Sequence, residues 1–368
     1  MIMKFRSLFF GVLAALVISA GFTSCSDDDD DDNGLIIDPV VNEYALVLNE
    51  GSWGNNNATL TAFNWRSNEV FNTECVYKAI NNQALGDVGQ DIIRDSKGNI
   101  YISMFGSAYV CKLKSNGEEI CRTYFNSGEM ADLGQPRYLA IEDGYLYVSC
   151  YGDYVAKLKA SDLSYVGKVK VGNNPERFVI EDDVLYCTSS VDESYVPDNR
   201  LAVIDLKKFD SAKFFTPMSN MDRILESNDR IFVQGYGDYY DYPWGEVNTT
   251  TGEFTKLGNA SCWAENDDVI YTVNSVTDWN TYQVTNYFAT YDTKTSKLTE
   301  GSYLKNAPAE LASASVYGME FNPYTDNLYV MTSNFTTNGK VYVFDKNLNY
   351  VTTFETTGVN PKTMVFFK

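Results

Sequence analysis

The sequence predicts an all-β protein: a seven-bladed β-propeller whose ring is closed by the C-terminal strand joining the first blade. Three observations carry that prediction. A hydrophobic strand phrase recurs at near-regular spacing, aromatics are abundant while proline is scarce, and the C-terminal segment reads as the strand that the first repeat lacks. Self-similarity at such a period marks an array of units, none of which buries both its faces alone.

The phrase occurs as Asn99-Ile100-Tyr101-Ile102, Tyr145-Leu146-Tyr147-Val148, Val184-Leu185-Tyr186-Cys187, Arg230-Ile231-Phe232-Val233, Val269-Ile270-Tyr271-Thr272 and Asn327-Leu328-Tyr329-Val330. Tyr44-Ala45-Leu46-Val47-Leu48 is a weaker seventh copy, and the central aromatics are 46, 39, 46, 39 and 58 residues apart. The units read as strands, which favours a propeller over a helical solenoid and places function in the loops. A length of 368 residues is no obstacle, since radial repetition enlarges a domain without one growing core. With 27 Tyr and only nine Pro, the composition suits strands and argues against disorder.

Each repeat reads as a four-stranded antiparallel blade. The third enters at Gly134-Gln135-Pro136-Arg137 and runs through Tyr138–Ile141, Tyr145–Ser149, Tyr154–Leu158 and Tyr165–Val169, with polar turns at Glu142–Gly144 and near Ser161-Asp162. Strict alternation is missing because both blade faces pack on neighbours. Residues 313–354 give the last full set. The tail, Asn360–Phe367, matches an entry strand, so it is expected to complete the first blade and remove the open edge. Six internal copies and this composite make seven; an eighth would require splitting residues 258–312.

The N-terminus has a basic start (Lys4, Arg6), an apolar core from Leu8 to Ala20 and small residues leading to Cys25. Residues 1–24 read as a secretory signal. It resembles a bacterial lipoprotein signal, which implies lipidation of Cys25 and a membrane anchor; the alternative is an ordinary cleaved signal before a stray cysteine. Residues 25–42, with the aspartates Asp27 to Asp32, read as an acidic tether. The run also resembles the acidic export signal of some Gram-negative surface lipoproteins, implying outer-membrane, cell-surface localisation. Residues 43–368 form the propeller. No apolar run long enough to span a membrane follows the signal.

Without the signal, 27 basic residues face 49 acidic ones, and 43 without the tether aspartates. Such a domain repels nucleic acid and anionic polymers. Cys75, Cys111, Cys121, Cys150, Cys187 and Cys262 lack zinc-type spacing. Cys111 and Cys121 flank a hairpin loop at Ser115-Asn116-Gly117; a three-residue loop sets them opposite, a two-residue loop offsets them, and a buried free thiol is the commoner state. There is no histidine, so no Ser-His-Asp or Cys-His arrangement exists and the commonest metal ligand is missing. The pairs Asp182-Asp183 and Asp267-Asp268, with Asp192, Glu193 and Asp198, offer acid–base or calcium chemistry, but read first as turn residues. The chain therefore reads as no enzyme, with no metal and no cofactor.

Aromatics gather in the segments that follow the repeat aromatic: Trp53, Phe105, Tyr151, Tyr154, Tyr236, Tyr239, Tyr240, Trp244, Trp279, Tyr282 and Phe335. With neighbouring Asn and Asp they suit a large, flat ligand edged by hydrogen-bonding groups, and about half are expected to be core instead. Arg137, Arg177 and Arg223 precede their repeat aromatics by 10, 9 and 9 residues, with Lys362 as a fourth at the same entry position. They form either a cationic ring for a phosphate or carboxylate at the channel mouth, or pairs with neighbours such as Glu176 and Asp222.

The chain resembles the YncE-like seven-bladed propellers over residues 43–368. More narrowly, Leu46-Val47-Leu48-Asn49-Glu50-Gly51-Ser52-Trp53-Gly54 with Asn57-Ala58-Thr59-Leu60 is similar to the opening of a propeller family of gut bacterial surface lipoproteins, among them proteins that capture vitamin B12. The resemblance implies a surface lipoprotein that binds a corrinoid and delivers it to an outer-membrane TonB-dependent transporter, with cobalamin as ligand and no cofactor. Without histidine, imidazole cannot displace the vitamin's lower axial ligand. The site expected is Trp53, Phe105, Arg137, Tyr151, Tyr154, Arg177, Arg223, Tyr236, Tyr239, Trp279 and Phe335. A glycan-binding or protein-interaction scaffold is the alternative, since Trp and Tyr platforms also stack on sugars. A lactone- or polymer-cleaving enzyme would need carboxylates converging on the channel.

Overall fold

In six of the seven repeats the second strand carries a central aromatic into the gap between two blades, and this fixes the architecture. The computed structural model describes residues 43–71, 75–237 and 241–368; the signal, Cys25, the tether, Tyr239 and Tyr240 lie outside them. Seven four-stranded antiparallel sheets follow in order. Blade 2 runs Gly89–Arg94, Ile100–Met104, Tyr109–Leu113 and Glu119–Tyr124; blade 3 spans Pro136–Lys170, blade 4 Pro175–Phe215, blade 5 Met221–Asn259, blade 6 Cys262–Glu300 and blade 7 Ser315–Glu355. Residues 258–312 are therefore not divided into two blades. A short helix, Val76–Asn81, precedes blade 2.

Blade 1 is the composite. Its strands are ordered Pro361–Phe367, Tyr44–Asn49, Thr59–Asn64 and Glu69–Val70, so the C-terminal strand closes the ring. Tyr44 stacks on Phe367 with centroids 4.5 Å apart, and Trp65 Nε1 donates to the Phe367 carbonyl at 2.8 Å.

One apolar cluster fills each of the seven gaps between adjacent blades. In blade 2, Ile100 and Ile102 face blade 1 while Tyr101 between them faces blade 3. Neighbouring residues thus bury on opposite sides, which is why hydrophobic–polar alternation is absent.

Turn chemistry settles the acidic pairs. Asp182 and Asp183 have φ of 48° and 62°, and Asp267 and Asp268 have 51° and 62°. Two successive left-handed residues between paired strands make a type I′ hairpin, which favours Asp and Asn. These carboxylates are turn formers. Asp192 accepts the backbone N–H of Ser194 and Val196, and Asp198 is ion-paired with Arg200.

Register also settles the cysteines. In blade 2, Cys111 lies opposite Arg122 and Lys112 opposite Cys121, so the two thiols project from opposite faces. All six described cysteines are free. Burial pushes the Cys111, Cys150, Cys187 and Cys262 thiols above their ordinary value, which makes them packing groups rather than nucleophiles.

Candidate functional site at the channel mouth

Six of the seven innermost strands carry a β-bulge near their start. The extra residues are Gln90 in blade 2, Arg137 and Tyr138 set against one residue in blade 3, Glu176 and Arg177 likewise in blade 4, Asp222 in blade 5, Tyr317 in blade 7 and Lys362 in blade 1. A bulge takes its residue off the ladder and re-aims the side chain. Here most of the re-aimed side chains converge on the channel mouth. Arg137, Tyr138, Arg177, Asp222, Arg223, Tyr317 and Lys362 line one cavity of about 610 Å³ together with Glu50, Tyr236, Tyr242, Trp279 and Phe335.

The four basic residues predicted to share a register therefore do meet, but they are not equivalent. Arg137 is neutralised: its Nε and Nη2 donate to Glu176 Oε2 at 3.0 and 2.6 Å, and its Nη1 donates to Gln90 at 2.6 Å. Glu176 is buried and also accepts from Tyr151 and from Ser190. Phe105 and Tyr151 flank the Arg137 guanidinium at 4.9 and 4.6 Å from their centroids. For Arg137 the ion-pair reading is correct, and Phe105 and Tyr151 buttress the mouth rather than line it. Lys362 lies 3.5 Å from Glu50, and Arg223 Nε lies 3.7 Å from Asp222. Arg177 forms no ion pair among the described residues; it sits over the Tyr138 ring at 4.2 Å.

The predicted aromatics divide. Trp53 (66% exposed), Trp279 (66%), Tyr282 (77%) and Phe335 (56%) stand open on the rim. Trp53 packs on Phe105, which packs on Tyr151, so a line of rings runs from blade 1 to Arg137. The Trp53 loop is fixed: Asp87 accepts Gly54 N–H at 2.9 Å, and Gly51 (φ +80°) passes so close to Asn57 that a Cβ would fall 2.6 Å from its Oδ1. Phe335 takes a left-handed φ of 64°, its N–H donating to Ser333, and its ring meets Tyr317 edge-on. Trp279 caps an arm of blade 6 whose two strands, Val269–Asp278 and Gln283–Asp292, pair over ten residues and extend the cavity wall through Ser275, Val276 and Thr277.

Two expectations are corrected. Tyr154 is not in the mouth. The turn before it is only three residues, so Tyr154 already opens the third strand of blade 3 and packs into the core between blades 2 and 3, with Lys168 above its ring. Trp244 is 1% exposed, in a strand that begins at Pro243, against Phe232, Trp263 and Tyr291. Tyr138, Tyr317, Tyr242 and Glu50 were missed, while Asp222 was foreseen only as a partner for arginine. For Tyr317 the entry-position register could have served, but the longer turn at Asn322–Asn327 shifts it to 12 residues before Tyr329.

Deeper in the channel, Glu320 accepts from Thr363 Oγ1 at 2.9 Å. Burial pushes its carboxyl up to about 7; the Thr363 bond, Arg177 and Arg223 oppose this, and Asp91 adds to it. Between about pH 4.5 and 7 the folded protein holds a proton that the unfolded chain has released, so this group's contribution falls as pH rises through that window and is level above it. Glu320→Gln is expected to be more stable than wild type at pH 8 by roughly 2–3 kcal/mol, with the difference vanishing near pH 4.5. Urea unfolding at pH 5 and 8 checks this; an equal difference at both would mean an ionised carboxylate in the fold.

No family model matches the chain, and no curated protein matches it. Solved structures do. A protein from Lactobacillus plantarum superposes with a TM-score of 0.60 at 13% identity, over 89% of this chain and 99% of its own. A putative 6-phosphogluconolactonase from Bacteroides fragilis gives 0.60 at 10% identity, over 93% and 100%. The dihydro-heme d1 dehydrogenase NirN in complex with DHE gives 0.52 at 12% identity, over 94% and 77%. Identity this low establishes a shared propeller fold, and one fold hosts enzymes and binders alike.

Proposed function

We propose that the chain is a lipid-anchored protein of the outer-membrane surface that captures a corrinoid, vitamin B12, at the channel mouth and passes it to a TonB-dependent transporter, without catalysing a reaction. The propeller scaffold suits a binding or protein-interaction role. The observation that carries the finer reading is a pair of hollows at the mouth. The cavity of about 610 Å³ adjoins a second of similar size, and Trp279 and Phe335 line both. A broad, flat ligand astride that aromatic divide would meet Ser261 and Ser275 on one side and Asn334 and Asn338 on the other, partners for a macrocycle edged with amides. The anchor and the corrinoid identity draw on the sequence resemblance.

Titrating purified protein with cyanocobalamin tests the reading. Saturable binding is expected, weakened by about 1–3 kcal/mol in Trp279→Ala or Phe335→Ala with unchanged melting, because both rings are exposed. On intact cells the same capacity is expected outside, and Cys25→Ala should shed it to the medium. No binding at micromolar concentrations, with retention on a neutral-glycan gel, would favour the scaffold reading.

A further inference from the structure

Of the eight arginines among the described residues, six donate side-chain hydrogen bonds within the protein: Arg66, Arg94, Arg122, Arg137, Arg200 and Arg230. Arg177 and Arg223 are the exceptions. Neither guanidinium donates a hydrogen bond to the described residues, and the Nε of each is buried without a hydrogen-bond partner among them. Both side chains line the mouth cavity, from neighbouring innermost strands, Pro175–Glu181 and Met221–Ser227. A buried Nε–H without an acceptor carries a desolvation cost that proteins seldom leave unmet. Arg137, in the same cavity, is by contrast saturated with hydrogen bonds.

Their surroundings hold them in place. Thr188 Oγ1 lies 3.0 Å from the carbonyl oxygens of both Arg177 and Asp222, so one hydroxyl ties the two bulges together. Tyr138 lies under Arg177 and has Lys362 5.6 Å from its centroid, which keeps a third cation beside the pair. Among the described residues the one carboxylate within ion-pair distance is Asp222, loosely set 3.7 Å from Arg223 Nε. It offsets one charge, and the side chains of both arginines line the cavity.

We infer that Arg177 and Arg223 form a binding site for an oxoanion, a phosphate or carboxylate group of whatever ligand occupies the mouth. Two guanidinium forks present parallel N–H donors to a group with several acceptor oxygens, and such charge-assisted bonds are the strong ones. The site gives an otherwise acidic protein one place that selects for negative charge. It does not depend on the corrinoid reading, since any ligand bearing such a group would use it.

The test is calorimetric titration of the propeller-containing protein with inorganic phosphate, dimethyl phosphate and acetate at fixed ionic strength. One saturable site is expected, and comparing dimethyl phosphate with acetate distinguishes a phosphate ester from a carboxylate as the natural group. Arg177→Gln and Arg223→Gln should each weaken it about tenfold or more, while Arg66→Gln on the surface leaves it unchanged. Because neither guanidinium donates a hydrogen bond to the described residues, both variants should melt without anion close to the wild-type temperature or above it; a clear loss of stability would assign the arginines a structural role instead. Absence of saturable binding to wild type, or binding that survives both substitutions, overturns the inference. Failure of cyanocobalamin to bind would leave it standing.

Discussion

Truncation after Gly358 is expected to abolish cooperative folding. It removes the innermost strand of blade 1, and with it four buried side chains, Met364, Val365, Phe366 and Phe367. Burial is worth ~1.5–3 kcal/mol for each such side chain, and a domain's whole stability is only ~5–15 kcal/mol. Losses extend beyond area: Tyr44 loses its stacking partner, Trp65 Nε1 its acceptor, and Glu50 and Gly51 the carbonyls of Asn360 and Val359. The exposed Tyr44–Asn49 edge becomes a template for association. Size-exclusion chromatography and a circular dichroism melt check this; a truncated monomer with unchanged melting would mean that blade 1 is completed another way.

The second large effect is expected at Glu176. Its carboxylate is 3% exposed and meets Arg137, Tyr151 and Ser190 at once. Glu176→Ala leaves a guanidinium wedged between Phe105 and Tyr151 with Gln90 as its remaining hydrogen-bond partner. Breaking a buried pair from one side costs ~3–5 kcal/mol, whereas replacing both members by apolar residues is often neutral. Urea unfolding should show that loss for Glu176→Ala and recovery of most of it in the Arg137→Met/Glu176→Leu double variant. Equal stability of wild type and Glu176→Ala would mean that water replaces the carboxylate freely.

The ring was legible because each blade repeats one packing problem. A second-strand aromatic helps fill six of the seven gaps, so Tyr101, Tyr147, Phe232 and Tyr329 announce the period. The closing strand was legible for the same reason, since Asn360–Phe367 repeats an entry phrase that Tyr44 lacks. Site residues were legible where they keep a fixed distance from that aromatic, as Arg137, Arg177 and Arg223 do. They were not where backbone irregularity intervenes. No residue type signals the bulges that bring Tyr138, Tyr317 and Asp222 inward, and turn length alone decides whether Tyr154 ends a loop or starts a strand. Nor does a register of basic residues reveal which are already paired, for Glu176 sits on blade 4 while its arginine sits on blade 3.

Ring closure also sets a clock. The strand Pro361–Phe367 leaves the ribosome after the other 27 strands, although its partner Tyr44–Asn49 emerges first. At ~5–20 residues per second, that partner waits roughly 15–60 s with its backbone unmatched on one side. The seam between blades 7, 1 and 2 can join only when the final strand arrives, since Met364 to Phe367 fill both of its gaps. Lys362 and Thr363 travel on that strand, so the charge pattern of the mouth is completed in the same moment. A holdase that protects the chain must shield the edge at Leu46 and Leu48 for the whole of that interval.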